Sequence, residues 1–290
     1  MNLNVQYSYT DVKNRGTLFL VPTPIGNLDD ITLRSLKVLK SVDLIAAEDT
    51  RTTQKLLNHY QIKTQQISFH EHNKLEKIPI IIQKLLEGIS VAQVSDAGMP
   101  SISDPGKELV LEAIHHEINV VPLPGANAAL TGLIASGCLP QPFYFYGFLP
   151  RKNKEQIKVF DKVKFIFGTI IFYESPYRLV NTLENINKIF NNPNVALCKE
   201  LTKKFETFIR GSLDEVLEWC KGNDKIKGEF VILIDNQTPI VPEGDNDIPI
   251  NTLVDNLISK GIRPNDAIKK VSKIKGLSKK IVYNFYHNIN

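Results

Sequence analysis

The feature that most constrains this chain is a regular alternation of short apolar runs with longer segments of helical spacing. Residues 17–21 are rich in strand formers and end at Pro22 and Pro24. From Ile31 to Lys40 the apolar residues fall at 31, 33, 36 and 39, a helical spacing, with Asp29 or Asp30 placed to cap it. The same reading predicts strands at 43–47, 66–69, 89–94 and 118–121, and helices at 50–59, 75–87, 105–116 and 126–135. Strands separated by helices of this length indicate a layered α/β domain with a largely parallel sheet.

Pro140 and Pro142 interrupt the pattern, and a second α/β unit follows. Its strands are expected at 143–146, 169–173, 195–199, near 205–210 and at 229–234, with helices at 154–163, 177–190 and 213–220. The later connections are too short for crossover helices, so this sheet is expected to be mixed. A proline-rich acidic linker, Gln237–Ile250, leads to three short helices with tight turns, a helix-turn-helix-like module. The expected organisation is an N-terminal extension without fixed structure over 1–15 and α/β domains over 16–137 and 142–236. A helical module over 249–290 completes it.

Composition narrows the class. The 290 residues are 42% hydrophobic and 23% charged, ordinary for a globular protein, and no apolar run approaches the roughly 20 residues that span a bilayer. Residues 1–14 are polar and lack the apolar stretch of a secretory leader, so a cytoplasmic protein is expected. Cys138, Cys198 and Cys220 are few, odd in number and far apart, which indicates neither a disulfide framework nor a zinc site. His70 and His72 flank Glu71 in what reads as a polar loop, and no metal is expected. Charge is uneven: residues 249–290 hold eight basic and two acidic side chains, a net +6 in a chain of net +4, leaving −2 for the rest. A nucleic-acid contact produces such an asymmetry, and so does a solvated lysine-rich helix surface.

Ligands of open α/β sheets bind at the C-terminal ends of the strands. Three loops there carry glycine and proline: 22–28 (PTPIGNL), 95–106 (SDAGMPSISDPG) and 122–127 (PLPGAN). None is GxGxxG and no GxxxxGK[ST] occurs, which weighs against NAD and ATP. Gly98 and Gly125 permit close backbone approach and the prolines stiffen the turns, as a small cofactor requires, although mere turns would look alike.

In this order and spacing the three loops closely resemble the tetrapyrrole-methylase-like (class III) superfamily of S-adenosylmethionine-dependent methyltransferases. Further segments resemble its bacterial ribosomal RNA branch, which methylates the ribose 2′-oxygen of a decoding-centre cytidine in 16S rRNA. These are residues 48–51 (EDTR), 172–179 (FYESPYRL), 199–204 (KELTKK) and 227–230 (KGEF). The resemblance runs from about Gly16 to the end of the chain. It implies S-adenosyl-L-methionine as cofactor, held by Ile25, by Ala97, Gly98, Met99 and Ile102, by Asn127 and Ala128, and by Glu174, Leu201 and Thr202. It also implies a homodimer acting on 16S rRNA or the small ribosomal subunit.

A ribose hydroxyl is a weak nucleophile, so a positioned base would help. Glu174 is the first candidate and Glu200 the second; either could instead pair with Arg178 or Lys203. Arg51 could meet an RNA phosphate or pair with Asp49. Arg178, Lys199, Lys203 and Lys204, with Arg151 and Lys152, could extend a basic track near the cleft. Lys269, Lys270 and Lys273 of the tail could hold further phosphates. Two rival readings remain: a small-molecule methylase of the same superfamily, which gives the basic tail no purpose, and a non-catalytic RNA-binding protein, which gives the cleft loops none.

Overall fold

The computed structural model describes residues 5–8, 14–223, 226–239, 249–259, 261–275 and 277–287. The first sheet contains β1 (Leu18–Leu20), β2 (Leu44–Ala47), β3 (Gln65–Ser68), β4 (Val91–Val94) and β5 (Val120–Pro122). All are parallel, in the order β3-β2-β4-β1-β5. The crossovers are α1 (Leu33–Ser41), α2 (Thr50–His59), α3 (Lys74–Leu86) and α4 (Lys107–His115). Central β4 is buried along its whole length, because crossover helices cover both faces of a parallel sheet. Separate apolar clusters fill the two sides, one around Leu39, Ile45 and Leu57, the other around Phe69, Ile81, Leu85 and Leu109.

One local expectation is corrected. Neither Asp29 nor Asp30 caps α1; both lie in a 3-10 turn, Leu28–Asp30, and Thr32 caps the helix by accepting from the Ser35 N–H. A cap must stand next to the first helical residue to reach the amide three positions on, and the turn sets the aspartates too far back.

The second sheet is mixed. Its strands β6 (Phe143–Phe148), β7 (Gly168–Glu174), β8 (Asn194–Lys199), β9 (Thr207–Ser212) and β10 (Phe230–Asn236) lie in the order β6-β7-β10-β8-β9. Only β6 and β7 run parallel. Helices α6 (Asn153–Val163), α7 (Leu179–Phe190) and α8 (Leu213–Lys221) cover one face over a core of Phe160, Phe172, Leu183, Leu213 and Ile232. A reciprocal Ser212–Glu215 capping box starts α8.

Helix α5 (Ala128–Ser136), the last of the first half in sequence, covers the other face of this second sheet. Ala129 and Leu133 pack there with Ile171, Ala196, Val231 and Leu233. Gly132 makes the approach possible, since a Cβ there would stand 3.2 Å from the Cys198 sulfur. One helix thus ties the two sheets together.

The C-terminal helices are α9 (Ile250–Ser259), α10 (Pro264–Ile274) and α11 (Lys279–Tyr286). They close on a small core of their own, Leu253, Val254, Ala267, Ile268, Val271 and Val282. Most of the expected linker, residues 240–248, lies outside the described residues, as do Lys260 and Gly276.

Of the N-terminal extension, residues 1–4 and 9–13 lie outside the described part. Where it is described, the extension makes side-chain contact with the first sheet. The Gln6 side-chain amide donates to the Val120 carbonyl at 2.9 Å and accepts from the Val120 N–H at 2.8 Å. A primary amide carries donor and acceptor as a peptide does, so Gln6 covers part of the open edge of β5. Cys198 and Cys220 are buried free thiols whose pKa values burial pushes up to about 12 and about 11, which leaves neither a thiolate near neutral pH. Among the described residues no helix is long and apolar enough to cross a membrane.

Candidate active site

The chain leaves β1 toward β2 on one side and β4 toward β5 on the other, and β1 and β4 are neighbours. That reversal makes their carboxyl ends the switch point where an open α/β sheet forms a crevice. Reciprocal backbone hydrogen bonds of 3.0 Å between Thr23 and Gly98 join the two loops there. Gln93, a polar residue inside the apolar strand β4, explains the shape of the long second loop. Its amide donates to the Pro105 carbonyl at 2.6 Å and folds residues 95–106 back over the strand end.

The second sheet meets these loops across a cleft of about 360 Å³. Ile25 enters from the loop after β1, and Ala97, Gly98, Met99 and Ile102 from the loop after β4. Asn127 and Ala128 stand at the start of α5, Glu174 at the end of β7, and Leu201 in the loop after β8. Of the residues expected to hold the cofactor, Thr202 alone does not line the cleft. Its hydroxyl accepts from the Asn27 N–H at 3.1 Å, fastening the β1 loop to the second sheet. Gly26 sits at the same seam, where a Cβ would come within 2.5 Å of Lys203 Cγ and 3.1 Å of the Leu201 carbonyl.

Both proposed bases are committed elsewhere. The Glu174 side chain is fully buried; one oxygen accepts from Arg178 at 2.7 and 2.8 Å and from the Ser175 N–H, the other from the Thr182 hydroxyl at 2.8 Å. Glu200 accepts from Lys203 and from the Glu229 N–H, each at 2.9 Å, and lies against Gly228, where a Cβ would come within 2.5 Å of its Cγ. Burial alone would raise the Glu200 pKa, but these hydrogen bonds outweigh it and the net shift is downward. A carboxylate so bound is a poor proton acceptor.

Two of the residues expected to contact RNA are likewise engaged within the chain. Arg178 spends its guanidinium on Glu174 and on the carbonyls of Leu149 and Pro150, and Lys203 bridges Glu200 and Glu229. Arg51 forms a two-point pair with Asp49 but stays 88% exposed. Lys204 is exposed beside Phe205, and Lys199 ends β8 half-buried. Lys269, Lys270 and Lys273 are exposed on α10.

The cleft also holds residues that sequence reasoning missed. Glu48, Asp96 and Asp104 line one wall, and among the described residues none has an ion-pair partner. Burial raises the pKa of each, reinforced by neighbouring carboxylates: Asp96 and Asp49 act on Glu48, Asp49 on Asp96, and Glu48 and Asp96 on Asp104, which is pushed up to about 6. Facing them, the phenol oxygen of Tyr173 accepts from the Ala129 N–H at 3.0 Å and so supports the first turn of α5. Exposed Phe148 stacks edge-on against the Tyr173 ring. Glu48 directly follows β2 and Asp96 is the second residue after β4, positions that could have marked them from sequence; Asp104 and Phe148 carry no such signal.

The donor set suits a small molecule with apolar and cationic parts. Ile25, Met99, Ile102 and Leu201 offer an apolar bed, and the unpaired carboxylates favour positive charge beside it. Fold and cleft together define a class, the α/β proteins that take a small ligand in a cleft between two sheets.

Comparison with known proteins supports the class and narrows it. The family model for tetrapyrrole (corrin/porphyrin) methylases matches residues 17–217. A protein of Halalkalibacterium halodurans named ribosomal RNA small subunit methyltransferase I is 47% identical over 289 residues, covering 98% of this chain and 99% of its own. One of the same name from Streptococcus pyogenes serotype M3 is 49% identical over 288 residues, covering 99% of this chain and all of its own. The first 15 residues, expected to stand outside the resemblance, are thus largely inside it. Uroporphyrin-III C-methyltransferase of Thermus thermophilus, solved with S-adenosylhomocysteine, shares the fold with a TM-score of 0.53 at 17% identity, over 76% of this chain and 98% of its own. This chain belongs to the tetrapyrrole methylase family and is an S-adenosylmethionine-dependent methyltransferase.

Proposed function

We propose that this chain methylates the ribose 2′-oxygen of a decoding-centre cytidine in 16S rRNA, working as a homodimer on the small ribosomal subunit in the cytoplasm. One observation carries the reading: end-to-end likeness, at 47–49% identity, to enzymes named for methylating small-subunit ribosomal RNA. That likeness includes the C-terminal helices, which lie beyond the family model's last matched residue, 217.

When bound, S-adenosylmethionine supplies a methyl group already activated on a sulfonium. What remains for the chain is chiefly to orient donor and acceptor and exclude water. Ile25, Met99, Ile102 and Leu201 would bed the apolar parts of the donor, while the backbone of residues 97–99 and the start of α5 at Asn127 and Ala128 would hold its polar ends. The Asn127 side-chain oxygen already caps α5 through the Leu130 N–H, so its part is to fix that helix start. Glu174 and Thr202 serve by anchoring the loops that carry these contacts. The RNA would lie across Lys199, Lys204 and Arg51 and be held farther out by Lys269, Lys270 and Lys273. On this reading residues 16–137 and 142–236 are the two catalytic domains and 249–290 the RNA-holding module, an arrangement that the two sheets and the separate tail core support.

The test is to incubate the protein with labelled S-adenosylmethionine and small subunits from a strain lacking the endogenous enzyme, then map the label. The expected outcome is one 2′-O-methylated cytidine in the decoding centre. Absence of label from 16S rRNA refutes the reading, and transfer to a tetrapyrrole instead favours a small-molecule methylase.

A further inference from the structure

We propose that Asp104 accepts the hydroxyl proton during methyl transfer and is a catalytic residue of this enzyme. The inference rests on the ribose methylation proposed above and deepens it.

The reaction releases a proton that must go somewhere. The ribose oxygen forms a bond to the methyl carbon, the methyl–sulfur bond breaks with its electron pair kept on sulfur, and the O–H proton passes to a carboxylate oxygen of Asp104. Sulfur leaves as a neutral thioether, so charge and atoms balance with no further reactant.

Four observations single out Asp104. It lines the cleft between the two sheets, where donor and acceptor must meet. Glu174 and Glu200, which line or border the same cleft, are held by Arg178 and Lys203, whereas no lysine or arginine among the described residues pairs with Asp104. Its position is fixed from below, because the Gln93 amide grips the Pro105 carbonyl one residue later. The charged and titratable groups around it also suit a proton acceptor. They are Glu48 just after β2, Asp96 after β4 and Tyr173 on β7, with the Ser95 side chain nearby. Burial and then the charges of Glu48 and Asp96 raise its pKa to about 6, against the lowering effect of Ser95. Such a carboxyl is ionised at neutral pH yet more basic than a surface aspartate, as general-base catalysis favours.

The experiment compares wild type, Asp104→Asn, Asp104→Glu and Glu48→Gln. Side-chain carboxyl NMR of the cofactor-free protein should show one group titrating near pH 6, absent from Asp104→Asn and shifted to lower pH in Glu48→Gln. With saturating donor and small subunits, Asp104→Asn should lose at least about 100-fold in kcat, while Asp104→Glu recovers part of it. In wild type, kcat/KM for the methyl donor should fall with decreasing pH below about 6, and Glu48→Gln should move that limb downward. Calorimetry should show Asp104→Asn binding S-adenosylmethionine within about threefold of wild type, given that Asp96 and Glu48 remain. An Asp104→Asn enzyme with wild-type kcat overturns the proposal, and so does one whose whole defect vanishes at saturating donor. Failure of the underlying reading looks different: wild-type protein then makes no 2′-O-methylated ribose.

Discussion

Replacing Arg178 with methionine separates two roles for one residue, an RNA contact or the partner of a buried acid. The structure favours the second. The Glu174 side chain has no solvent exposure and that of Arg178 only 26%. Arg178→Met removes a two-point ion pair and two bonds to the carbonyls of Leu149 and Pro150, leaving Glu174 with the Ser175 N–H and the Thr182 hydroxyl. Stranding one member of a buried ion pair costs about 3–5 kcal/mol, and the two surviving hydrogen bonds put this case near the lower end, about 3 kcal/mol. Adding Glu174→Gln removes the stranded charge, so the double variant should regain about half of that loss and the cycle should yield a coupling of at least about 2 kcal/mol. Urea unfolding followed by circular dichroism measures these values, with filter binding to 16S rRNA alongside. A loss below about 1 kcal/mol refutes the reasoning. A tenfold drop in RNA affinity at unchanged stability would return Arg178 to the RNA track.

Three other outcomes follow from the geometry. Gly26→Ala should weaken S-adenosylmethionine binding about tenfold by wedging the β1 loop off Lys203 and Leu201, a steric effect of about 1–2 kcal/mol readable by calorimetry; unchanged affinity would mean the seam yields freely. Asp104→Asn should make the protein more stable at pH 7.5. The folded-state pKa of about 6 lies above the usual 3.8, so the ionised carboxyl opposes folding above pH 6, and that cost disappears as the pH falls toward 4. The full shift corresponds to about 3 kcal/mol, which water at this partly open carboxyl should reduce to about 1 kcal/mol, visible as a Tm difference between wild type and variant that narrows below about pH 6 and closes below about pH 4. Replacing Lys269, Lys270 and Lys273 with alanine should weaken RNA binding on all sequences alike and lower the salt slope by about 2–3 while sparing cofactor affinity; an unchanged slope would show that these lysines are only a solvated surface.

The alternation of periods was enough to expect two α/β units, a mixed second sheet and three tail helices, because side-chain spacing and turn residues act over a few neighbours. The helix expected at 50–59 is α2 to the residue, and strands β2 and β8 lie within one residue of expectation. The cap of α1 was misplaced because the 3-10 turn before it cannot be told from helix by apolar spacing. The loops that line the cleft were legible, since each follows a strand end and carries the prolines and glycines of a built turn. The family resemblance then joined loops that sequence distance keeps apart.

What tertiary structure alone decided is which charges are free. Glu174 and Glu200 look in sequence like available carboxylates, and folding gives both to nearby cations and amides. Asp104 looks like a loop residue beside a proline, and folding sets it against Glu48 and Asp96 with no ion-pair partner among the described residues. Helix α5 belongs by sequence to the first unit and packs on the second sheet, through a glycine whose purpose only the Cys198 contact explains. The physical reason is range. Periodicity and capping are settled between residues three or four apart, whereas burial and charge depend on residues such as 48 and 104, brought together only when the strands between them pair.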